Sequence, residues 1–308
     1  MTVATAQAPS TRPCWRRDRY VADIVTLHDR MSLRGLADLI EPLYLARRPG
    51  GLTVLAARRS QLPERYQLAI YGFRLAQYLR SGFASADVAF ERAMFAEPDR
   101  GCGEEIHVIG LEEATGSIVR YISIVGSPDP EPMALSSAGR SPFPCEVAHG
   151  INLFDHVGLA EPVTSSEVWE IKRLMQRDCE AQAPGMWRLR VSLELMLAFY
   201  SVLATLDPAV KLLIGDGEEG LAIRRLLRSL KEVTVIEGTR PSLPHNDLLH
   251  PAYTQREAVK PFVARAPRGA ELSELVGRLE RALSAADPLS GFKQLVAETS
   301  GDVRRVSL

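Results

Sequence analysis

IHVIGLEEATGSIVRYISIV, residues 106–125, and VWEIKRLM, residues 168–175, decide the fold. The first run predicts a hairpin, Ile106–Leu111 and Ile118–Val125, joined by Glu112-Glu113-Ala114-Thr115-Gly116, with Gly116 suited to a positive φ. In its second strand Ile118, Arg120, Ile122 and Ile124 alternate with Val119, Tyr121, Ser123 and Val125. Both sets are mostly apolar, so the strand is expected at the centre of a sheet covered on both faces. The second run predicts a third strand, Val168–Met175. Arg120, Glu170 and Arg173 stand inside these apolar strands. Burying a charge there is costly unless it is paired, so the three suggest a site, the alternative being an ion-pair network that only holds the sheet together. Glu170 and Arg173 are three residues apart and face opposite sides of a regular strand. A bulge is needed for both to reach one pocket.

Outward from this centre, Ser32–Leu45 has helical apolar spacing and Leu52–Ala57 reads as a strand. Pro63-Glu64 opens a helix that closes at Ser81-Gly82, and Asp87–Met94 is a second, short one. Ser127–Pro144 carries five prolines and is expected to be an irregular, functional or mobile loop. A long helix over Arg188–Leu206 follows, then a strand at Lys211–Gly215, a helix at Gly220–Leu230 and a strand at Val233–Glu237. Pro241–Pro261 reads as loop, Glu271–Ala285 as helix and the last residues as frayed. The class is α+β, with a mixed, mostly antiparallel central sheet flanked by helices and an N-terminal extension. Residues 1–60 form an arm (a disordered tail to residue 19) and helical extension, 61–240 the core, and 241–308 a C-terminal stretch of loop and helices packed on it.

Composition sets the bounds. The chain of 308 residues is 46% apolar and 24% charged, with a net charge of −1. That is ordinary globular composition, with no global field suggesting nucleic acid. Cys14, Cys102, Cys145 and Cys179 form no Cys-x-x-Cys pair, and the six histidines form no metal pattern. The N-terminus lacks the apolar run of a signal peptide, and the apolar run at Leu193–Leu206 is too short to span a bilayer. A cytoplasmic protein without metal or membrane span is expected.

The segment His107–Ile122, the proline-rich loop and then Glu170-Ile171-Lys172-Arg173-Leu174 resemble the GNAT-fold autoinducer synthases, which make acyl-homoserine lactones, and the related N-acyl amino acid synthases. The resemblance spans residues 64–240. It implies a GNAT-like core and an N-acyltransferase. Such an enzyme moves an acyl group from an acyl carrier protein or coenzyme A to the amine of an amino-acid-like small molecule, with no tightly bound cofactor. Phe73-Arg74, Asp99, Arg120 and Glu170-Ile171-Lys172-Arg173 stand at the family's motif positions. Glu170 is the candidate base. Arg120, Arg173, Arg74, Phe73, Asp99, Lys172 and Trp169 are candidate substrate-binding residues. Two departures stand out: Lys172 replaces the family's serine, and its second acidic residue has no clear match among Gly103, Glu104 and Glu105. The missing coenzyme-phosphate signature leans toward a carrier-protein donor, whose acidic surface Arg47, Arg48, Arg58 and Arg59 are placed to meet.

Two rival readings remain at this stage. Gly215-Asp216-Gly217-Glu218-Glu219-Gly220 matches the Gly-x-Gly-x-x-Gly pattern of a nucleotide or S-adenosylmethionine site, although acidic residues suit a phosphate poorly and a plain turn is the simpler reading. A non-catalytic protein that holds an acyl thioester in the same pocket is the other. Cys145, after Pro144, is a minor candidate for accepting an acyl group.

Overall fold

The computed structural model describes residues 15–48, 50–98, 103–177, 185–206, 208–218, 230–240, 243–254, 259–285, 287–299 and 303–308. The expected helix at Gly220–Leu230 therefore lies mostly outside the described residues. One mixed sheet organises the chain, in the order β1-β2-β3-β4-β5-β6-β8-β7-β9. Its strands are β1 Tyr44–Arg48, β2 Leu52–Arg58, β3 Glu105–Glu112, β4 Ile118–Val125, β5 Val168–Gln176, β6 Leu212–Gly217, β7 Lys231–Glu237, β8 Lys260–Arg265 and β9 Val303–Ser307. Pairing is antiparallel except between β5 and β6 and between β7 and β9. The sheet runs through the N-terminal extension, the core and the C-terminal stretch alike.

The helices are α1 Trp15–Asp29, α2 Leu36–Leu39, α3 Glu64–Ser81, α4 Ala86–Glu91, α5 Pro144–His149, α6 Gly185–Leu203, α7 His250–Thr254, α8 Gly269–Ser284 and α9 Pro288–Thr299. α3 stops where expected, because Gly82 takes a left-handed φ of 74° and its N–H caps Leu79 and Tyr78. α6 and α8 cover one face of the sheet. There Ile106, Val108, Ile122, Ile124, Trp169 and Ile171 meet Val191, Leu195 and Leu275 in an apolar layer. α3 lies on the other face, against Leu55, Ile109, Ile118 and Tyr121. The ionisable residues of the central strands point to this second face.

Several elements depart from expectation. Only Leu36–Leu39 of the Ser32–Leu45 stretch is helical, and Tyr44 already begins β1. The Ser32 hydroxyl donates to the Thr115 carbonyl in the hairpin turn and accepts the Arg34 N–H, two residues on. Trp15–Arg19, expected in a disordered tail, open α1. The Pro241–Pro261 loop holds α7 and the start of β8, and the C-terminus is not frayed, since β9 pairs in parallel with β7. Alternation fails in β4, where Val119 and Arg120 bulge opposite the Gly110–Leu111 step. The bulge turns Ile118 to the side of Tyr121 and Val119 to the side of Ile122.

β5 and β6 pair only from Val168↔Leu212 to Ile171↔Gly215. Gly215 is glycine for a packing reason: a Cβ there would lie 2.7 Å from the Ile171 carbonyl oxygen and 3.1 Å from the Phe262 ring. Gly215→Ala is expected to force the two strands apart and cost about 1–3 kcal/mol, read as a lower denaturant midpoint with an unchanged slope.

Candidate active site

Beyond Ile171 and Gly215, β5 and β6 part. The cause on the β5 side is a bulge. Tyr121 pairs with Met175 and Ser123 with Lys172, so Arg173 and Leu174 together oppose Ile122. Arg173 takes a left-handed φ of 58°, a costly conformation for a residue with a side chain. The bulge puts Glu170, Lys172 and Arg173 on one wall, as their shared pocket requires. The strands that separate are β5 and β6; β4 and β5, which carry Arg120 and Glu170, stay paired.

The opening holds a cavity of about 290 Å³, lined by Glu170, Lys172, Arg173, Asp216, Tyr78, Tyr253 and the prolines Pro128, Pro142 and Pro144. A second lobe of about 250 Å³ shares Tyr78, Lys172, Arg173, Asp216, Leu249 and Tyr253 with it, but is walled by Phe83, Ile171, Leu174, Val259 and Phe262. Both lobes share the charged residues Lys172, Arg173 and Asp216; the first adds Glu170 and the prolines, and the second adds Glu218 and a larger set of apolar side chains.

Behind the cavity lies a buried, charge-balanced quartet. Arg173 forks onto Glu97 at 2.7 and 3.2 Å, and Arg74 donates to Glu97 at 2.7 Å and to Glu105 at 3.0 Å. The Arg74 guanidinium also lies over the Tyr71 ring, 4.6 Å from its centroid. Burial alone would raise both acids. Arg173 and Arg74 instead pull Glu97 far below the usual carboxylate range, and Arg74 leads in bringing Glu105 down to about 2. Next in the layer, the Tyr121 hydroxyl is 2.7 Å from His107 Nδ1, and burial pushes His107 down to about 4, so the ring is neutral.

Glu170 differs from these. It is 2% exposed. It accepts the Cys145 N–H at 3.1 Å, and Lys172 Nζ stands 3.7 Å from its other oxygen. Burial raises its carboxyl above the usual range, against the pull of Lys172. On the facing strand Asp216 accepts the Tyr253 hydroxyl at 2.7 Å and has His149 Nε2 at 3.4 Å. Burial opposes its ionisation, but His149 and Tyr253 hold it below its ordinary value. Two carboxylates on one cavity are therefore pushed in opposite directions.

Of the residues expected in a site, Glu170, Lys172 and Arg173 line the cavity and Arg74 lies one layer behind it. Phe73 packs edge-on to Tyr121, and Trp169 faces the apolar layer under α6. Arg120 sits at the β4 bulge opposite Gly110 and Gln176, well along the strand from Glu170, whose partner is Val125. Asp99 lies outside the described residues; the acid that joins the quartet from that segment is Glu97, and Glu105 is the one that joins from the Gly103–Glu105 stretch. Of the basic residues proposed to meet a carrier protein, Arg47 pairs with Asp38 at 2.6 Å, Arg48 with Glu194 at 2.8 Å and Arg58 with Glu104. Gly215, Asp216 and Gly217 are strand residues, and Glu219 and Gly220 lie outside the described residues. Sequence reasoning missed Glu97, Glu105, His107, Asp216, His149 and Tyr253. Only Asp216 carried a local signal, a charge between two glycines after an apolar run. Among the described residues no His, Cys, Asp or Glu cluster is suited to a metal, and no helix is long and apolar enough to cross a membrane.

No protein-family model matches the chain, and no curated protein matches it. Among solved structures, it is similar to a CoA-dependent acyl-homoserine lactone synthase, BjaI. The form with MTA is 14% identical over 79% of this chain and 87% of that one, with a TM-score of 0.40. The form with SAM and isopentyl-CoA is 14% identical over 78% and 87%, with a TM-score of 0.38. A cAMP-binding acyltransferase from Mycobacterium smegmatis is 12% identical over 90% of this chain and 61% of its own length, with a TM-score of 0.30.

The quartet and His107 set the acid stability. Unfolded His107 binds a proton below 6.5 but folded His107 only below about 4, so stability falls as pH drops through that interval. Glu105 contributes stability above its ordinary 4.5 that is lost as pH falls toward about 2. Urea midpoints measured against pH are expected to decline from about 6.5 downward, and His107→Asn is expected to shrink the upper part of the decline, leaving the share of His28, whose ring burial also pushes down. Glu97→Gln leaves two buried arginines short of a partner and is expected to cost about 3–5 kcal/mol at neutral pH.

Proposed function

We propose that the chain is an N-acyltransferase of the autoinducer-synthase type. It takes an acyl group from a thioester on an acyl carrier protein or coenzyme A and joins it to the amine of an amino-acid-like small molecule. The observation that carries this reading is Glu170. The other buried glutamates of the described chain, Glu97, Glu105, Glu146 and Glu194, each pair with an arginine at 2.7–3.0 Å. An arginine-paired carboxylate is a weak proton acceptor. Glu170 has a backbone N–H and a lysine at 3.7 Å, a raised proton affinity and an open cavity before it. A buried carboxyl with raised proton affinity and an open cavity before it is suited to act as a general base.

In this reading the acceptor amine lies in the lobe that holds Glu170 and the acyl chain in the lobe walled by Phe83, Ile171, Leu174 and Phe262. Glu170 takes a proton from the amine as nitrogen attacks the thioester carbonyl. The C–N bond forms, the C–S bond breaks, and the proton passes to the departing thiolate. The reaction needs only thioester and amine. Arg74 and Arg173 are occupied by Glu97 and Glu105, so Lys172 is the cation placed to hold an acceptor carboxylate. Its place in the family's serine position then accounts for a preference among amines different from that of autoinducer synthases.

Mass spectrometry of the purified chain with acyl-coenzyme A or acyl carrier protein and a panel of amino acids tests the reading. An N-acyl product is expected, reduced roughly 100-fold or more in Glu170→Gln. Full activity in that variant removes Glu170 as the base. Thioester binding with no product on any amine makes the chain a binding protein instead.

A further inference from the structure

The proline-rich loop before α5 holds a second buried ion pair, outside the quartet. Arg140 and Glu146 are 4% and 1% exposed at their side chains and meet through two parallel bonds of 2.8 and 2.9 Å. All five guanidinium donors are used, because Nε donates to the Leu135 carbonyl, Nη1 also to the Ser141 carbonyl and Nη2 also to Asn152 Oδ1. Each Glu146 oxygen accepts a second bond, from the Phe143 N–H at 2.8 Å and the Leu153 N–H at 3.0 Å. The guanidinium lies over Phe143 and Phe154. A buried pair with every donor and acceptor filled fixes geometry.

What it fixes is the first turn of α5. That turn begins at Phe143, which has no side-chain oxygen to cap the free N–H groups. The Cys145 N–H is given to Glu170 instead. We propose that Arg140, acting through Glu146, is a positioning residue that locks α5 so that the Cys145 N–H orients the Glu170 carboxylate in the cavity. Pro142 and Pro144, on the same clamped segment, form the adjoining wall. The other groups that face Glu170 are Lys172 on its own strand, the Cys145 thiol on α5, Asp216 on β6 and Tyr253 on α7. The Cys145 thiol rides on the same clamped turn as its N–H, whereas Lys172, Asp216 and Tyr253 make no contact with Arg140.

The proposal rests on the acyltransferase reading only for its consequence in catalysis, and the test separates the two. The carboxyl ¹³C signal of Glu170 in the full chain, assigned by its loss in Glu170→Gln, is titrated in wild type, Arg140→Lys and Glu146→Gln. Arg140→Lys keeps the charge and loses the fork, so it is the milder variant. A hydrogen bond to the ionised form holds a carboxyl down, so freeing α5 is expected to move the Glu170 midpoint upward in both variants. A merely structural clamp lowers the melting temperature and leaves the midpoint in place; that result in folded Arg140→Lys overturns the proposal. If the midpoint rises and the acid limb of the rate profile rises with it, both readings stand. If the midpoint rises and the rate profile stays, the positioning role holds and Glu170 is not the base.

Discussion

A left-handed residue inside a central strand organises the functional face. Arg173 at φ 58° interrupts β5 immediately after its pairing with β6 ends. An L-residue with a long side chain keeps such a conformation at a cost on the order of 1–3 kcal/mol, and only where its surroundings over-determine it. Glu97 supplies that determination with a forked, fully buried bond to the guanidinium. Glu97 is itself held by Arg74 from α3 and by its own N–H to the Tyr71 carbonyl. The strain in β5 is thus anchored in α3, and the parted strands leave the space that becomes the two-lobed cavity.

The charged groups around this space divide by partner. The quartet is balanced, buried and saturated, so it resists any change in protonation near neutral pH. Toward the cavity the balance loosens. Glu170 and Asp216 border one cavity with Lys172, and their proton affinities are driven apart by burial on one side and by His149 and Tyr253 on the other. A single strand face carries both kinds of environment within three residues, because the bulge turns Arg173 inward toward the quartet while Lys172 remains at the cavity.

The central hairpin, β5, α3 and α6 were legible because each follows from a local period and a local stop: alternation and Gly116 in the hairpin, Pro63 and Gly82 around α3. The bulge at Arg173 was legible as a need, from the three-residue spacing of Glu170 and Arg173. What was not legible depends on contacts far apart in sequence. β8 was hidden by its proline, yet Pro261 is paired only with Asp216 of β6 and lies beyond the β7 ladder, which ends at Phe262. The face assignment in β4 failed because a bulge leaves no mark on hydrophobic alternation when both faces are apolar. Glu97 and Glu105 joined the site through Arg74 and Arg173, 23 and 76 residues from Glu97, and no local pattern announces such a pairing.

Arginine is distributed unevenly among the buried acids. An arginine fixes a carboxylate as an anion, and the chain has done this for Glu97, Glu105, Glu146 and Glu194. At Glu170 the partner is a backbone N–H, which orients the oxygen without a full charge, and a lysine beyond close contact. A buried carboxylate so held takes a proton more readily than the paired ones, and it is the one that borders open space. Had the role of Glu170 been to brace the sheet, an arginine within reach would serve better, and Arg173 lies three residues away. The bulge turns that arginine toward Glu97 and leaves Glu170 to the Cys145 N–H and Lys172.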